Sequence, residues 1–164
     1  MKTIELEIDN KKVRAREGMT ILEAAKQSGI NIPTLCFDEK TDHLGCCRIC
    51  SVQIERSGRR SIVTDCSYPV EKGLNVTTRS SKIDKIRKII LELAAVGSGP
   101  DVSSDLYRLS SDYGADLNRF SSVGDQINSK CILCGLCVNR CIEATGGAIG
   151  FVARAGNQSI SRQN

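Results

Sequence analysis

The sequence has few of the large side chains that usually fill a hydrophobic core. Its 164 residues include no tryptophan, three tyrosines, three phenylalanines and a single histidine. A chain with so little aromatic area gains less from burial, so an inorganic centre that cross-links the fold becomes a reasonable expectation. A single histidine also excludes a Rieske-type iron–sulfur centre, which needs two histidine ligands.

Signals of several other protein classes are absent as well. Residues 1–7 alternate charged and apolar side chains without the apolar segment of a signal peptide, and no stretch approaches the roughly 18 apolar residues of a membrane span. Neither G-x-G-x-x-G nor a Walker A sequence occurs, so we expect no dinucleotide or ATP site in the chain. These absences predict a cytoplasmic protein without a membrane span.

The net charge is +4, and part of it lies in two basic clusters. Such clusters bind nucleic acid when aromatic residues or a recognised motif accompany them, and neither is present here. We therefore interpret both clusters as solvated faces and expect no nucleic-acid partner. Their residues are Arg56, Arg59 and Arg60 in the first cluster, and Lys82, Lys85, Arg87 and Lys88 in the second.

What the sequence has in abundance is cysteine, with nine residues of this type. An odd count without a secretory leader argues against a disulfide framework. Cysteines at repeated x2 spacing closed by x3 are also not a common zinc pattern. Eight of the nine instead form two sets with the spacing of iron–sulfur ligands.

Alternating apolar and polar residues predict strands near residues 4–8, 13–16, 51–55, 60–63 and 75–78. Thr20 and Glu23 form a capping box, which predicts a short helix that ends at Gly29. Two strands, a crossing helix and further strands follow each other as in an α+β fold of the β-grasp type. Other α+β folds share this order.

Two helices and a final strand are predicted beyond residue 78. Ser81 and Asp84 offer a cap for the first helix, whose apolar stripe contains Ile83, Ile86, Ile90 and Leu93 and for which a core role is favoured over docking. Residues 97–100 end this helix, and a second amphipathic helix spans residues 104–113. A strand is expected at 148–153, followed by a polar, frayed tail from 156 to 164. We accordingly divide the chain into domains at 1–78, 79–125 and 126–164.

The first cysteine set is spaced C-x10-C-x2-C-x15-C and consists of Cys36, Cys47, Cys50 and Cys66. With the approach at residues 30–35 and the sequence Gly45-x-Cys47-Arg48-x-Cys50, residues 2–78 resemble a known domain. It is the [2Fe–2S] β-grasp domain of [FeFe]-hydrogenases and of the large iron–sulfur subunit of respiratory complex I. The resemblance implies that these four cysteines hold a [2Fe–2S] cluster. Cys46 is interpreted as a small filler, with a ligand or redox role left open.

The second set, Cys131, Cys134, Cys137 and Cys141, has the C-x2-C-x2-C-x3-C spacing of bacterial ferredoxins and predicts a [4Fe–4S] cluster. In two-cluster ferredoxins the fourth cysteine of such a run binds the other cluster, yet no further cysteine follows Cys141 here. We expect Cys141 to be the fourth ligand. Cys46 and a group from a partner chain remain the alternatives.

The middle of the chain departs from the family pattern. The relatives carry a site of one histidine and three cysteines after the β-grasp domain, whereas residues 67–130 contain no cysteine, and His43 lies upstream. We therefore predict no metal in the middle segment. His43 is expected to be an exposed loop residue that can tune the first cluster by a hydrogen bond.

The resemblance implies a non-catalytic electron-relay subunit that carries single electrons between partner subunits containing flavin and iron–sulfur clusters. Such subunits serve NAD(P)H-linked complexes, namely electron-bifurcating transhydrogenases, hydrogenases and formate dehydrogenases. The transhydrogenase is favoured because nothing in the sequence resembles a hydrogenase active-site domain. The alternatives are a free two-cluster ferredoxin shuttle and an iron–sulfur redox sensor.

Overall fold

The computed structural model describes residues 2–41, 45–98, 103–120, 131–152 and 159–162. The first sheet contains β1 (Thr3–Ile8), β2 (Lys11–Arg16), β3 (Ser51–Arg56), β4 (Arg59–Thr64) and β5 (Asn75–Thr77). The helices are α1 (Ile21–Gln27), α2 (Ser81–Ser98), α3 (Ser104–Tyr113) and α4 (Leu136–Thr145). A second, two-stranded sheet pairs β6 (Ile149–Val152) with β7 (Ser159–Arg162).

The five-stranded sheet has the order β2-β1-β5-β3-β4. β1 and β5 run parallel, and the other neighbouring pairs are antiparallel. Alternate residues of β1, namely Ile4, Leu6 and Ile8, are buried in one core with the apolar face of α1. This mixed sheet crossed by a helix confirms the predicted α+β fold.

Local signals in the sequence determine where α1 begins and ends. The Thr20 side chain accepts a hydrogen bond from the Glu23 backbone N–H, and the Glu23 carboxylate accepts one from Thr20 at 2.7 Å. This reciprocal capping box satisfies N–H groups that the first turn leaves free. Gly29 follows the helix with a φ of +71°, as expected for a residue that ends one.

The predicted apolar stripe of α2 is partly wrong. The face that packs inward carries Ile83, Arg87, Leu91 and Ala95, whereas Leu93 is 54% exposed. Positions separated by four residues lie on one side of a helix, and this row faces the start of β3 and helix α3. The helix begins one residue earlier than its predicted cap implied, because the Ser80 hydroxyl accepts the Ile83 N–H at 3.2 Å.

The interpretation of the second basic cluster as wholly solvated is also wrong for Arg87, which is completely buried. The reason is that three acceptors inside the protein satisfy its guanidinium group. Lys82 and Lys85 of the same cluster are exposed as expected. None of the helices in the described parts of the chain is both long and apolar enough to cross a membrane.

Helix α3 follows the prediction closely, with Ser103 capping its start and Gly114 in a left-handed conformation after its end. It packs on α2 through Leu106 and Leu109. The predicted frayed tail is wrong in part, since residues 159–162 form β7, where Ile160 pairs with Phe151. Two apolar side chains paired across a hairpin stabilise it. The division into three domains stays a prediction.

Candidate metal centre

The sheet brings two of the first four cysteines together. Cys50 immediately precedes β3, and Cys66 follows β4 closely. Since Ser51 pairs with Thr64 in the β3–β4 hairpin, the residues beyond this pair converge. The Cys50 and Cys66 Sγ atoms are 3.4 Å apart, and both side chains are buried.

Cys36 and Cys47 form the second pair, on the loop that follows α1 and on the loop that enters β3. The Cys36 thiol donates a hydrogen bond to the Cys47 sulfur, which also accepts from the backbone N–H groups of Ile49, Leu35 and Cys36. These contacts, led by the Cys36 bond, lower the pKa of Cys47 to about 6, although burial opposes them. The same bond raises the pKa of Cys36. The loop is therefore arranged to stabilise negative charge on sulfur.

The donor set fits a [2Fe–2S] cluster. Two thiolates on one tetrahedral metal, with metal–sulfur bonds of about 2.3 Å, lie about 3.8 Å apart. The observed 3.4 Å between Cys50 and Cys66 is close to this separation and well beyond a disulfide bond of about 2.05 Å. Two cysteine pairs supply the four thiolates that such a cluster needs.

Gly45 allows the loop before Cys47 to approach the β4 end. Its φ is +60°, a conformation that residues with a Cβ rarely adopt. A Cβ at this position would lie 3.1 Å from Thr64 Oγ1 and 3.4 Å from Ser67 Oγ. The glycine at this position thus has a backbone cause and a steric cause.

A buried carboxyl group accompanies the second pair. Asp65 is completely buried, and one of its oxygens lies within 4.8 Å of the Cys50 and Cys66 sulfurs. Burial raises the pKa of Asp65 to about 7. Asp65 is not among the candidate ligands predicted from the sequence, although its position beside Cys66 was a signal for it.

Arg87 of α2 holds the segment around Cys50. Its Nε donates to the Ile49 carbonyl at 3.0 Å, and one of its terminal nitrogens donates to the Ser51 carbonyl at 2.9 Å. The other terminal nitrogen donates to the Tyr113 hydroxyl of α3 at 2.9 Å. The side chain therefore ties the residues on both sides of Cys50 to two helices.

The second cysteine run lies on a loop and on the first turns of α4. Cys137 and Cys141 are on the helix four residues apart, so they share one of its faces, while Cys131 and Cys134 precede it. Cys137 is exposed, and the other three are half-buried. A hydrogen bond with Thr145 lowers the pKa of Cys141.

Among the described residues, the cysteines of this run do not form a group of three sulfurs within 4.8 Å of one another. A cubane does not need such a group, because each of its four ligands would bind a different iron. Gly135 precedes α4 with a φ of +78°, and a Cβ there would lie 3.1 Å from the Phe151 ring. The loop is thus closely packed on β6.

The two cysteine regions touch each other. The segment between α1 and β3, which carries Cys36 and Cys47, is the first-cluster loop. Arg140 of α4 reaches this loop, with contacts of 3.4 Å to the Asp38 carboxylate and 3.3 Å to the Lys40 carbonyl. A Cβ on Gly135 would also lie 3.7 Å from Cys46 Sγ. Cys46 is exposed and sits at this junction. His43, expected to tune the first cluster, lies outside the described residues.

Residues 1–81 match the family described as 2Fe-2S iron-sulfur cluster binding domain. The chain is 37% identical over 171 aligned residues to the NADPH-Fe(3+) oxidoreductase subunit alpha of Geobacter sulfurreducens, covering 92% of this chain and 20% of that protein. It is 32% identical to the mitochondrial NADH-ubiquinone oxidoreductase 78 kDa subunit of Candida albicans, covering 87% of this chain and 21% of that one.

A solved structure is also similar. A chain in the crystal structure of an NAD+-reducing [NiFe]-hydrogenase in the H2-reduced state superposes with a TM-score of 0.82 at 28% sequence identity. The similarity covers 97% of this chain and 74% of that chain. By contrast, the chain spans only about a fifth of the length of the curated relatives that it matches.

Proposed function

Because residues 1–81 belong to the family of 2Fe-2S iron–sulfur cluster binding domains, we propose that Cys36, Cys47, Cys50 and Cys66 hold such a cluster and that the chain transfers single electrons. The observation that carries the proposal is the arrangement of these cysteines in two close pairs, with Cys50 and Cys66 separated by 3.4 Å. The bound cluster supplies one-electron redox chemistry.

The residues of this chain provide the environment of that chemistry. Backbone N–H groups of residues 35, 36 and 49 point at the Cys47 sulfur and stabilise its negative charge. Cys50 and Cys66 are almost fully enclosed, so water has little access to their sulfurs. Hydrogen bonds to sulfur and limited solvent exposure are two of the factors that set the potential of an iron–sulfur cluster.

The second part of the proposal is a [4Fe–4S] cluster on Cys131, Cys134, Cys137 and Cys141. The ferredoxin spacing supports it, as does the placement of the run against the first-cluster loop through Arg140 and Asp38. Two centres on adjoining loops suit a short relay for electrons. Cys141 remains the proposed fourth ligand, with Cys46 or a partner group as the alternative.

We further propose that the chain works as a relay in an NAD(P)H-linked oxidoreductase complex, beside partners that contain flavin and iron–sulfur clusters, in the cytoplasm. The similar proteins support this, since each is a pyridine-nucleotide oxidoreductase or hydrogenase. Assignment to an electron-bifurcating transhydrogenase is the finer part of the proposal. A free ferredoxin shuttle remains the second candidate, because both cysteine regions lie within one chain.

The test has two stages. Iron and sulfide analysis with EPR spectroscopy of the anaerobically purified chain should show a [2Fe–2S] signal that Cys50→Ser removes or alters. Ser57→Ala, in the β3–β4 turn at the far end of the hairpin from Cys50 and Cys66, is the control and should leave the signal unchanged. An unaltered signal in Cys50→Ser would contradict the ligand assignment. Mass measurement of the native assembly then decides between relay subunit and shuttle, since recovery as a lone monomer without flavin would contradict the subunit role.

A further inference from the structure

Arg87 is the largest of the fully buried side chains, and it carries a positive charge. Within the described part of the chain, no carboxylate oxygen lies within 4 Å of its guanidinium group, whose acceptors are two carbonyls and a phenol. A buried charge without an ionic partner is costly. The carbonyls offset part of this cost, but they do not neutralise the charge.

The position of Arg87 indicates where its counter-charge lies. Its two carbonyl acceptors belong to Ile49 and Ser51, the neighbours of Cys50 on either side. Both acceptors are one residue from Cys50, whose sulfur lies 3.4 Å from that of Cys66, so the buried positive charge is within electrostatic reach of the Cys50–Cys66 pair. Four thiolates around a [2Fe–2S] core carry a net negative charge that can balance it.

The same contacts constrain the backbone of a ligand. A trans peptide group is planar, so holding the Ile49 carbonyl also sets the direction of the Cys50 N–H. Holding the Ser51 carbonyl does the same for the Ser51–Val52 peptide group, so the peptide groups on both sides of the Cys50–Ser51 unit are held. The geometry thus combines a nearby positive charge with a fixed orientation of the dipoles around Cys50.

We propose that Arg87 is a positioning residue that raises the reduction potential of the first cluster, an inference that rests on the function proposed above. Reduction by a one-electron donor, such as a flavin semiquinone, adds one negative charge to the cluster. A buried cation nearby stabilises the reduced form more than the oxidised form. Loss of the charge therefore makes the cluster harder to reduce.

The test is a dithionite titration of the full, reconstituted chain, followed by EPR of the [2Fe–2S] signal. Arg87→Gln keeps an amide donor but removes the charge, and it should lower the equilibrium constant for reduction at least tenfold, a shift of about 59 mV for a one-electron couple. Arg87→Lys keeps the charge and should stay closer to the unmodified protein. Tyr113→Phe removes one contact of Arg87 without changing charge and should leave the potential unaltered.

Lys12→Met is the matched control for loss of one positive charge, since Lys12 is exposed on β2 at the opposite edge of the sheet. An Arg87→Gln potential equal to that of the unmodified protein would overturn the proposal, as would an equal shift in Lys12→Met. If Arg87→Gln prevents cluster binding and Arg87→Lys permits it, the requirement for a positive charge is supported. If Arg87→Lys also prevents cluster binding, Arg87 is a packing residue and the proposal fails. Absence of a [2Fe–2S] signal in the unmodified chain would instead refute the proposed function itself.

Discussion

Replacement of Gly45 by alanine tests how the first-cluster loop is built. Alanine would have to adopt a φ of +60° and would place its Cβ 3.1 Å from Thr64 Oγ1. The Thr64 hydroxyl now pairs with Ser67 Oγ at 2.8 Å, so the new methyl group has to displace a hydrogen-bonded pair. The perturbation is small in volume but acts directly beside Cys46 and Cys47.

The expected loss of stability has two parts. A left-handed conformation costs a residue with a Cβ roughly 1–2 kcal/mol. Disruption of the Thr64–Ser67 hydrogen bond adds roughly 0.5–1.5 kcal/mol. We therefore expect Gly45→Ala to lower the free energy of unfolding by roughly 1.5–3.5 kcal/mol. In a chain of 164 residues, each kcal/mol lowers Tm by roughly 2–4 °C.

Gly58→Ala provides the matched control. Gly58 has a φ of +75° in the β3–β4 turn, and nothing lies within 4 Å of a Cβ placed there. This variant should therefore show the conformational cost alone, roughly 1–2 kcal/mol. Denaturant unfolding of both variants under argon, together with the rate at which visible cluster absorbance decays, separates the two effects. Equal stabilities and equal decay rates in the two variants would refute the steric part of the reasoning.

Three other substitutions test contacts away from Gly45. Glu92→Gln should lower the free energy of unfolding by roughly 1–3 kcal/mol, because the buried Glu92 carboxylate accepts a hydrogen bond from Arg119 at 2.8 Å. Thermal melts measure this loss, and a melting temperature equal to that of the unmodified protein would contradict it. Asp38→Asn should speed amide exchange in α4, because it weakens the partly exposed contact to Arg140. Unchanged exchange would show that this contact does not hold the helix. Cys141→Ser should alter the Mössbauer spectrum of the second cluster and spare the first, whereas an unaltered [4Fe–4S] spectrum would defeat Cys141 as the ligand.

The elements that sequence reasoning located well are those with local causes. The capping box of Thr20 and Glu23 and the left-handed Gly114 mark helix ends through contacts within a few residues. Strand alternation located β1 and β3 because one face of each packs on the core. The β7 strand was missed, since its partner is the separate strand β6, and a short polar segment carries little alternation.

The inward face of α2 shows why the other predictions failed. Hydrophobicity favoured a stripe that included Leu93, yet Arg87 is buried and Leu93 is exposed. An arginine can take an inward position when acceptors surround it, and those acceptors come from Ile49, Ser51 and Tyr113, distant in sequence. Glu92 is buried for the same kind of reason, with Arg119 as its partner. A local pattern in the sequence does not predict partners that are distant along the chain.

The sequence by itself determined the division of eight of the nine cysteines into two candidate ligand sets, because spacing along the chain is a local property. Only the tertiary structure decided that Cys50 pairs with Cys66 and Cys36 with Cys47, since the β3–β4 hairpin and the loop after α1 bring them together. It also decided that Asp65 and Arg87 belong to the surroundings of the first set. Burial and charge compensation depend on residues that meet in space, and for that reason the sequence alone did not reveal them.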